Sequence, residues 1–349
     1  MATMADVARV AGVSVSTVSH VINGTRFVKE ETRQVVMDAI HATGYTHNTI
    51  AKSLVSGSTH TIGLAISAIT NFYFADIVSA IETEAGKAGY TLLLADTHDD
   101  PGAELAVVEA LHQRRVDGVL LATSGGPRGR PLGYLAELGV PAVLVDRCAS
   151  DRFDQVGVAN VEPTALLTAH LAGLGHGRIA MISGRTGLRT SDERAEGYRT
   201  GLARAGLDLD ERLTVSGWSN AEDADTAVGR LLALADPPTA FVVANNHMTI
   251  GAMRAFGRLG VRVPEDVALV SFDDFEWAEH FRPRLTTMAQ PIHEIGARAV
   301  RMLLDRIGDP RRTPETVRLD PSFRHRESCG CPPEPVSRRG VPIGDDERP

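Results

Sequence analysis

Between Met4 and Gly24 the chain reads MADVARVAGVSVSTVSHVING, two short helical periods parted by a tight turn, and few folds other than a helix-turn-helix admit that spacing. Thr3 carries a hydroxyl able to cap the first helix, and Asp6 three residues on can reach back to it, the spacing of a capping box. Val7, Ala8 and Ala11 make one apolar face. Gly12 supplies the turn, because a residue leaving a helix in the left-handed region avoids a steric penalty only when it has no Cβ. Ser14 is the second N-cap. The second helix buries Val18 and Val21 or Ile22 at helical spacing, which puts Val15, Ser16, Thr17 and His20 on the opposite side. A helix that reads the major groove presents such a face near its N-terminus. Periodicity alone admits equally a small helical hairpin with a solvated face.

At 349 residues the chain has room for two or three domains and a sizeable core. A formal net charge of −8 excludes a protein that binds nucleic acid over its whole surface, so any such contact is local. Residues 1–60 carry five basic side chains (Arg9, Arg26, Lys29, Arg33, Lys52) against four acidic ones (Asp6, Glu30, Glu31, Asp38), a net of about +1. A head so weakly basic takes phosphates largely through backbone N–H groups and hydroxyls, and gains affinity when two heads bind together. Cys148, Cys329 and Cys331 are too few and too uneven for a disulfide framework. The Cys-Gly-Cys has no other Cys or His pair at ligand spacing, so neither metal nor cofactor is expected. No signal peptide precedes Thr3 and no apolar run reaches membrane-spanning length, so the expected compartment is the cytoplasm, with no membrane partner.

The stretch DVARVAGVSVSTVSHVINGTRFV resembles the DNA-binding head of the lactose-repressor (LacI/GalR) family of bacterial transcriptional regulators, most closely its purine- and ribose-repressor branch, and the likeness runs ungapped through the first sixty residues. The resemblance implies a homodimer on double-stranded operator DNA. It assigns DNA contacts to Ser14, Val15, Ser16, Thr17, Ser19, His20, Asn23, Arg26 and Tyr45. It also makes NTIAKSLVSG, residues 48–57, a hinge helix that orders on the operator, with Ala51 and Leu54 in the minor groove and Leu54 as the wedge that unstacks a base step.

A third helix is expected over Glu30 to Thr43, closing the head's core with Val35, Val36, Ala39 and Ile40. From Thr61 onward, apolar runs alternate with helical stretches: TIGLAIS, YTLLLAD, GVLLAT and AVLVDR, then RIAMISG, LTVSGW, TAFVVANN and VALVSFDD. Continuous apolar strands between helices indicate parallel sheets covered on both faces, and two such sets indicate two α/β lobes. The expected fold class is therefore α/β, an all-α helix-turn-helix head joined by a hinge helix to a two-lobed core; the family resemblance makes that core a type I periplasmic-binding-protein fold. The expected boundaries are a head at 1–46, a hinge at 47–60 and a core at 61–330. By resemblance, lobe 1 takes about 61–160 and 289–328, and lobe 2 about 161–288. The Pro-, Gly- and charge-rich residues 331–349 read as a disordered tail without the leucine heptads of a tetramerising coiled coil.

Small molecules bind such folds in the crevice at the carboxyl ends of the strands. Those ends carry Asn71-Phe72-Tyr73-Phe74, Asp146-Arg147, Trp218, Asn245-Asn246 and Asp273-Asp274. Asp and Asn can take sugar hydroxyls, Arg a ring oxygen, carboxylate or phosphate, and an aromatic face a ring. The resemblance assigns Arg194 and Asp273 to the effector and Trp218 to stacking on it, with Arg147, Asn245 and the 71–74 turn beside them. The sequence departs from the family at Phe72, where a proline is usual, and at Asn246 and Ala159, where Asp is common. His20 matches the purine and ribose branch, and Val15 offers thymine a methyl contact. A sugar-like effector is expected, with a purine as the rival. A solute-binding receptor shares the core but not the head. No G-x-G-x-x-G after the first strand, P-loop, H-E-x-x-H or G-x-S-x-G is present to assemble an enzyme site.

Overall fold

The computed structural model describes residues 2–45 and 57–331. Its chain divides into two units, residues 1–59 and 60–349. The hinge positions Ala51 and Leu54 and nearly all of the tail lie outside the described residues.

In the first unit, α1 (Met4–Ala11), α2 (Val15–Asn23) and α3 (Glu30–Thr43) surround a small core of Val7, Ala8, Val18, Val36 and Ala39. Thr3 Oγ1 accepts from the Asp6 N–H at 3.3 Å while Asp6 Oδ2 accepts from the Thr3 N–H at 2.9 Å, a complete capping box. Gly12 leaves α1 at φ 65° and its N–H returns to Ala8 O, the sharp turn that brings α2 across α1. Val35, expected in this core, is exposed instead. A helix turns about 100° per residue, so with Val36 and Ala39 inward its neighbour Val35 faces water.

The second unit holds two six-stranded sheets. The first contains β1 (Thr61–Ile66), β2 (Thr91–Asp96), β3 (Gly118–Leu121), β4 (Ala142–Asp146), β5 (Asp154–Val158) and β11 (Thr316–Leu319), in the order β11-β5-β4-β3-β1-β2 and parallel throughout. The second contains β6 (Ile179–Ser183), β7 (Thr214–Ser216), β8 (Ala240–Val243), β9 (Ala268–Phe272), β10 (Thr286–Ala289) and β12 (Ser322–Arg324), in the order β12-β10-β9-β8-β6-β7. Only β12 runs antiparallel. Central strands such as GVLL and AFVV are buried at every position, the burial that helices on both faces demand.

Those helices are α4 (Phe72–Lys87), α5 (Pro101–Gln113), α6 (Arg130–Glu137), α7 (Val161–Gly173), α8 (Arg189–Arg204), α9 (Ala221–Leu232), α10 (Asn246–Leu259) and α11 (Ile292–Gly308). The chain passes between the sheets three times: β5 to α7, β10 to α11, and β11 to β12. The last passage corrects the expected lobe boundary, since residues 289–328 do not all join the first lobe. Asp320 and Pro321 carry the chain back, and β12 pairs with β10, while Ser328 bonds Leu269 in both directions at 2.7 Å. Polar RLDPSFRHRES offers no alternation to name its sheet, and a half-buried salt bridge from Arg326 to Asp274 at 2.8 Å holds it to the second.

The sequence reading did not mark β5, α6, α7, β11 or β12. β5 begins with Asp154 and Gln155, polar yet buried, which interrupts the apolar run that marks its neighbours. Arg306 at 2.8 Å and the Glu315 N–H at 2.8 Å satisfy Asp154. The return of the chain to the second sheet brings Cys329 and Cys331 beside His325, four residues before Cys329, and His170, remote in sequence.

Candidate functional site

Two surfaces gather the residues singled out in the sequence. On the head, Ser14 caps α2 through its bond from the Thr17 N–H at 3.1 Å, and its hydroxyl also lies 2.8 Å from those of Ser16 and Thr17. Val15, Ser16 and Arg26 are exposed. His20 Nδ1 is 2.8 Å from Thr25 Oγ1, which fixes the ring and leaves Nε2 as the outward nitrogen. Asn23 spends its amide within the helix, donating to Ser19 O at 2.9 Å and Ser19 Oγ at 3.2 Å. Tyr45 packs on the head's core. Sequence reasoning passed over Phe27, 94% exposed just after the turn, the most exposed large apolar side chain described. An aromatic so placed on a small head is available to a partner surface.

In the second unit a small cleft opens among the ends of β1, β6 and β8, where the strand order in each sheet reverses. Asn71 and Asn245 line it while capping α4 and α10, accepting from Tyr73 N–H at 3.0 Å and Met248 N–H at 2.8 Å. Thr190 and Ser191 line it from the first turn of α8. Three helix N-termini thus face the cleft and favour electron-rich atoms there.

Arg194, on α8, is buried with its guanidinium 3.7 Å above the Phe272 ring. It donates to Asn160 Oδ1 at 2.9 Å and Ala244 O at 2.6 Å, and its Nη2 lies 3.7 Å from Asp273 Oδ1. Gln290 Nε2 donates to Asp273 Oδ1 at 2.6 Å, and the Tyr73 hydroxyl lies 2.7 Å from Asp146 Oδ1 and 3.0 Å from Gln290 Oε1. Arg147 donates to Asp99 Oδ1 at 2.6 Å. Its Nε is buried without a hydrogen-bond partner, 3.6 Å from Asp146 Oδ2. A buried donor left unpaired is costly, and the Asp146 carboxylate beside it offsets part of that cost. Asp146 and Asp273, at the ends of equivalent central strands in the two sheets, both sit at positive φ, 68° and 72°. Such backbone persists where surrounding structure holds a side chain to a task.

The charges here are perturbed in ways the geometry explains. Burial, with the Asp146 and Asp273 carboxylates nearby, pushes the Tyr73 hydroxyl well above its ordinary value, so it stays a donor. Burial also raises Asp146, against the pull of Arg147 and the Tyr73 hydrogen bond. At Asp99 burial acts upward too, but the Arg147 charge and hydrogen bond prevail and hold the carboxyl below its usual range.

Asn71, Tyr73, Phe74, Arg147, Arg194, Asn245 and Asp273 therefore meet in one cleft. Two expected residues do not. Phe72 is 42% exposed, its ring 5.6 Å from that of Trp277, because its helical neighbours Tyr73 and Phe74 take the inward directions. Trp218 is 58% exposed and outside the lining, although the next residue, Ser219, belongs to it. Missed by sequence reasoning were Asp99, Thr190, Ser191 and Gln290. Asp146 stood in plain view at the end of AVLVDR. Gln290, between β10 and Pro291 on a crossing of the lobes, gave no local signal.

Two family models match the chain: bacterial regulatory proteins of the lacI family over residues 3–48, and a periplasmic binding protein-like domain over residues 168–329. The HTH-type transcriptional repressor PurR of Erwinia tasmaniensis is 36% identical over 341 residues, 97% of this chain and 100% of that protein. The chain belongs to the LacI family. The PurR of Vibrio cholerae serotype O1 is 34% identical over 329 residues, 94% of this chain and 98% of that protein. Among solved LacI-family structures, the lac repressor dimer bound to operator and the anti-inducer ONPF superposes with a TM-score of 0.85 at 28% identity, covering 94% of this chain and 99% of that one. The transcriptional regulator CelR in complex with cellobiose gives 0.72 at 32% identity over 94% of this chain and 100% of that one. This LacI-family member is a DNA-binding transcriptional repressor controlled by a small-molecule effector. None of its described helices is long and apolar enough to cross a membrane.

Proposed function

We propose that this repressor acts as a homodimer on a palindromic operator and that the effector in its cleft is a sugar or a sugar-like polyol. The observation that carries the ligand reading is the acceptor set. Asp99, Asp146 and Asp273 face the cleft with the amides of Asn71, Asn245 and Gln290 around two buried guanidiniums. Carboxylates in such number match a ligand rich in hydroxyl donors and repel a phosphate. A purine effector is the second reading, favoured by the two aromatic side chains in the lining, Tyr73 and Phe74, and by the name of the PurR relatives.

On the head, α2 enters the major groove with Ser16, Thr17 and His20, and Ser14, Ser19, Asn23 and Tyr45 serve the phosphates; Arg26 completes the set. The minor-groove part of Ala51 and Leu54 rests on the family resemblance. The test is a thermal-shift screen of the full chain against pentoses, hexoses, disaccharides, sugar phosphates and purines, followed by operator binding with and without the ligand found. A ligand at a hundred times its Kd stabilises the native state by about 2.7 kcal/mol. A shift with sugars that Arg194→Ala abolishes supports the reading, whereas a shift with purines alone replaces it. Unchanged operator affinity in a His20→Ala, Arg26→Ala variant overturns the assignment of α2.

A further inference from the structure

We propose that His170, His325, Cys329 and Cys331 form a tetrahedral zinc site that clasps the returning C-terminal segment to the second lobe. The four side chains bring two nitrogens and two sulfurs within 4.8 Å of one another, and Cys331 Sγ lies 3.5 Å from His170 Nε2. Zinc bound at about 2.3 Å to sulfur and about 2.05 Å to nitrogen sets tetrahedral S···N edges of about 3.6 Å, so the Cys331–His170 edge is already at closing length and the other separations, within 4.8 Å, close by side-chain rotation. Both cysteines are free thiols.

Two separate pieces of chain, α7 and the segment 325–331 that follows β12, supply the ligands, and each is held in place by something other than the ion. His170 comes from the last turns of α7, with its ring edge-on to Phe323 at 5.2 Å. His325 follows β12 and stacks on the same Phe323 at 6.1 Å. Phe323 therefore sets both imidazoles. Cys329 is fully buried, and Gly330 at φ 77° turns the chain so that Cys331 comes back to the same cage. A Cβ at that backbone angle is strained, which ties the glycine to the turn.

The donor set chooses the ion. Two thiolates and two imidazoles in tetrahedral array suit zinc over the oxygen-seeking calcium and magnesium, and two thiolate charges neutralise its own. Four protein ligands leave no open position, so the ion is structural rather than catalytic. It also has a task. β12 is three residues long and lies at the sheet's edge, Arg326 on Asp274 and Ser328 on Leu269 hold the chain just beyond it, and the ion would add a hold at the segment's very end. A bond from Cys329, Cys331 and His325 to α7 fastens that end to the lobe.

The test uses the full chain, purified under reducing conditions, stripped with a chelator and titrated with Zn²⁺, then with Co²⁺ as a spectroscopic substitute. About one equivalent of zinc should bind, and cobalt should show tetrahedral d–d bands together with thiolate-to-metal charge transfer. His325→Gln, which replaces an exposed ring, and Cys331→Ser, at the segment's end, should each lose the metal while keeping the native circular dichroism. Chelation should lower the melting temperature of the parent protein and leave that of the double variant unmoved. The proposal is overturned by absence of stoichiometric zinc binding, by a cobalt spectrum without thiolate charge transfer, by full zinc retention in the double variant, or by a Cys329–Cys331 disulfide that survives the reductant.

Discussion

Replacing Asp273 by asparagine keeps the shape of the side chain and removes one charge from the cleft. In the free protein Oδ1 accepts from Gln290 Nε2 at 2.6 Å and Oδ2 from the Asn246 N–H at 3.3 Å, with Arg194 Nη2 3.7 Å away. The backbone at φ 72° survives the change, since Asn and Asp both tolerate the left-handed region. What is lost is the charged acceptor that a ligand hydroxyl would meet. A hydrogen bond to a charged group contributes about 1.5–3 kcal/mol and a neutral one about 0.5–1.5 kcal/mol. The substitution should therefore weaken a hydroxyl-bearing ligand by about 1–2 kcal/mol, roughly 5- to 30-fold in Kd. Calorimetry with the sugar found by thermal shift measures that ratio, and fluorescence anisotropy on labelled operator, without ligand, should show DNA affinity unchanged. If the variant melts like the parent and binds the sugar with the same Kd, the placement of the ligand against Asp273 is refuted.

Other perturbations reach the rest of the molecule. Ser14→Ala removes the cap of α2, so the helix should lose about 1 kcal/mol, read as faster hydrogen exchange of the α2 amides in the full chain. Gly157→Ala puts a Cβ 2.6 Å from Asp146 O and 3.1 Å from Cys148 Sγ, so it should destabilise the core by about 1–3 kcal/mol, seen in a denaturant melt, and weaken ligand binding by displacing Asp146. At Glu193 burial acts upward, but Arg318, Asn160 and Arg189 bring its carboxyl below the ordinary value of 4.5. Its contribution is therefore present above pH 4.5 and lost as pH falls through the lowered folded value. Thermal melts should show Glu193→Gln flattening the fall of stability below that pH, and an unchanged acid limb would count against the pairing.

The parallel strands were legible because burial on both faces leaves an unbroken apolar run, and the cleft was legible because such strands end at it. Asn71, Arg147, Asn245 and Asp273 each stand one or a few residues past a strand. β5 was lost for the converse reason, as its buried Asp154 is matched by Arg306 from another part of the chain. Phe72 and Trp218 show a different limit, because sequence places a residue near a site without saying which way a helix or turn aims it. His325, four residues before Cys329, lay within local reading, but His170 stands on a helix that only the third passage between lobes brings to the cysteines.

Asn160, on the first of those passages, joins the cleft to the seam between lobes. Its Oδ1 accepts from Arg194 Nε at 2.9 Å, and its Nδ2 donates to Glu193 Oε2 at 2.8 Å. Glu193, on α8 of the second lobe, receives both arms of Arg318, on β11 of the first, at 3.0 and 2.9 Å. One amide therefore stands between a guanidinium that lines the cleft and an ion pair that spans the lobes. If Arg194 turns toward a ligand oxygen, Oδ1 loses its donor, and a buried acceptor left unpaired costs about 1–3 kcal/mol. The amide can follow Arg194 only by drawing Nδ2 away from Glu193. The second response makes the energy of the bound state depend on how the lobes are joined, and a cost of that size matches the roughly 1–3 kcal/mol of an ordinary allosteric coupling. The same dependence runs backwards, so whatever fixes the Glu193–Arg318 pair changes ligand affinity by the same factor.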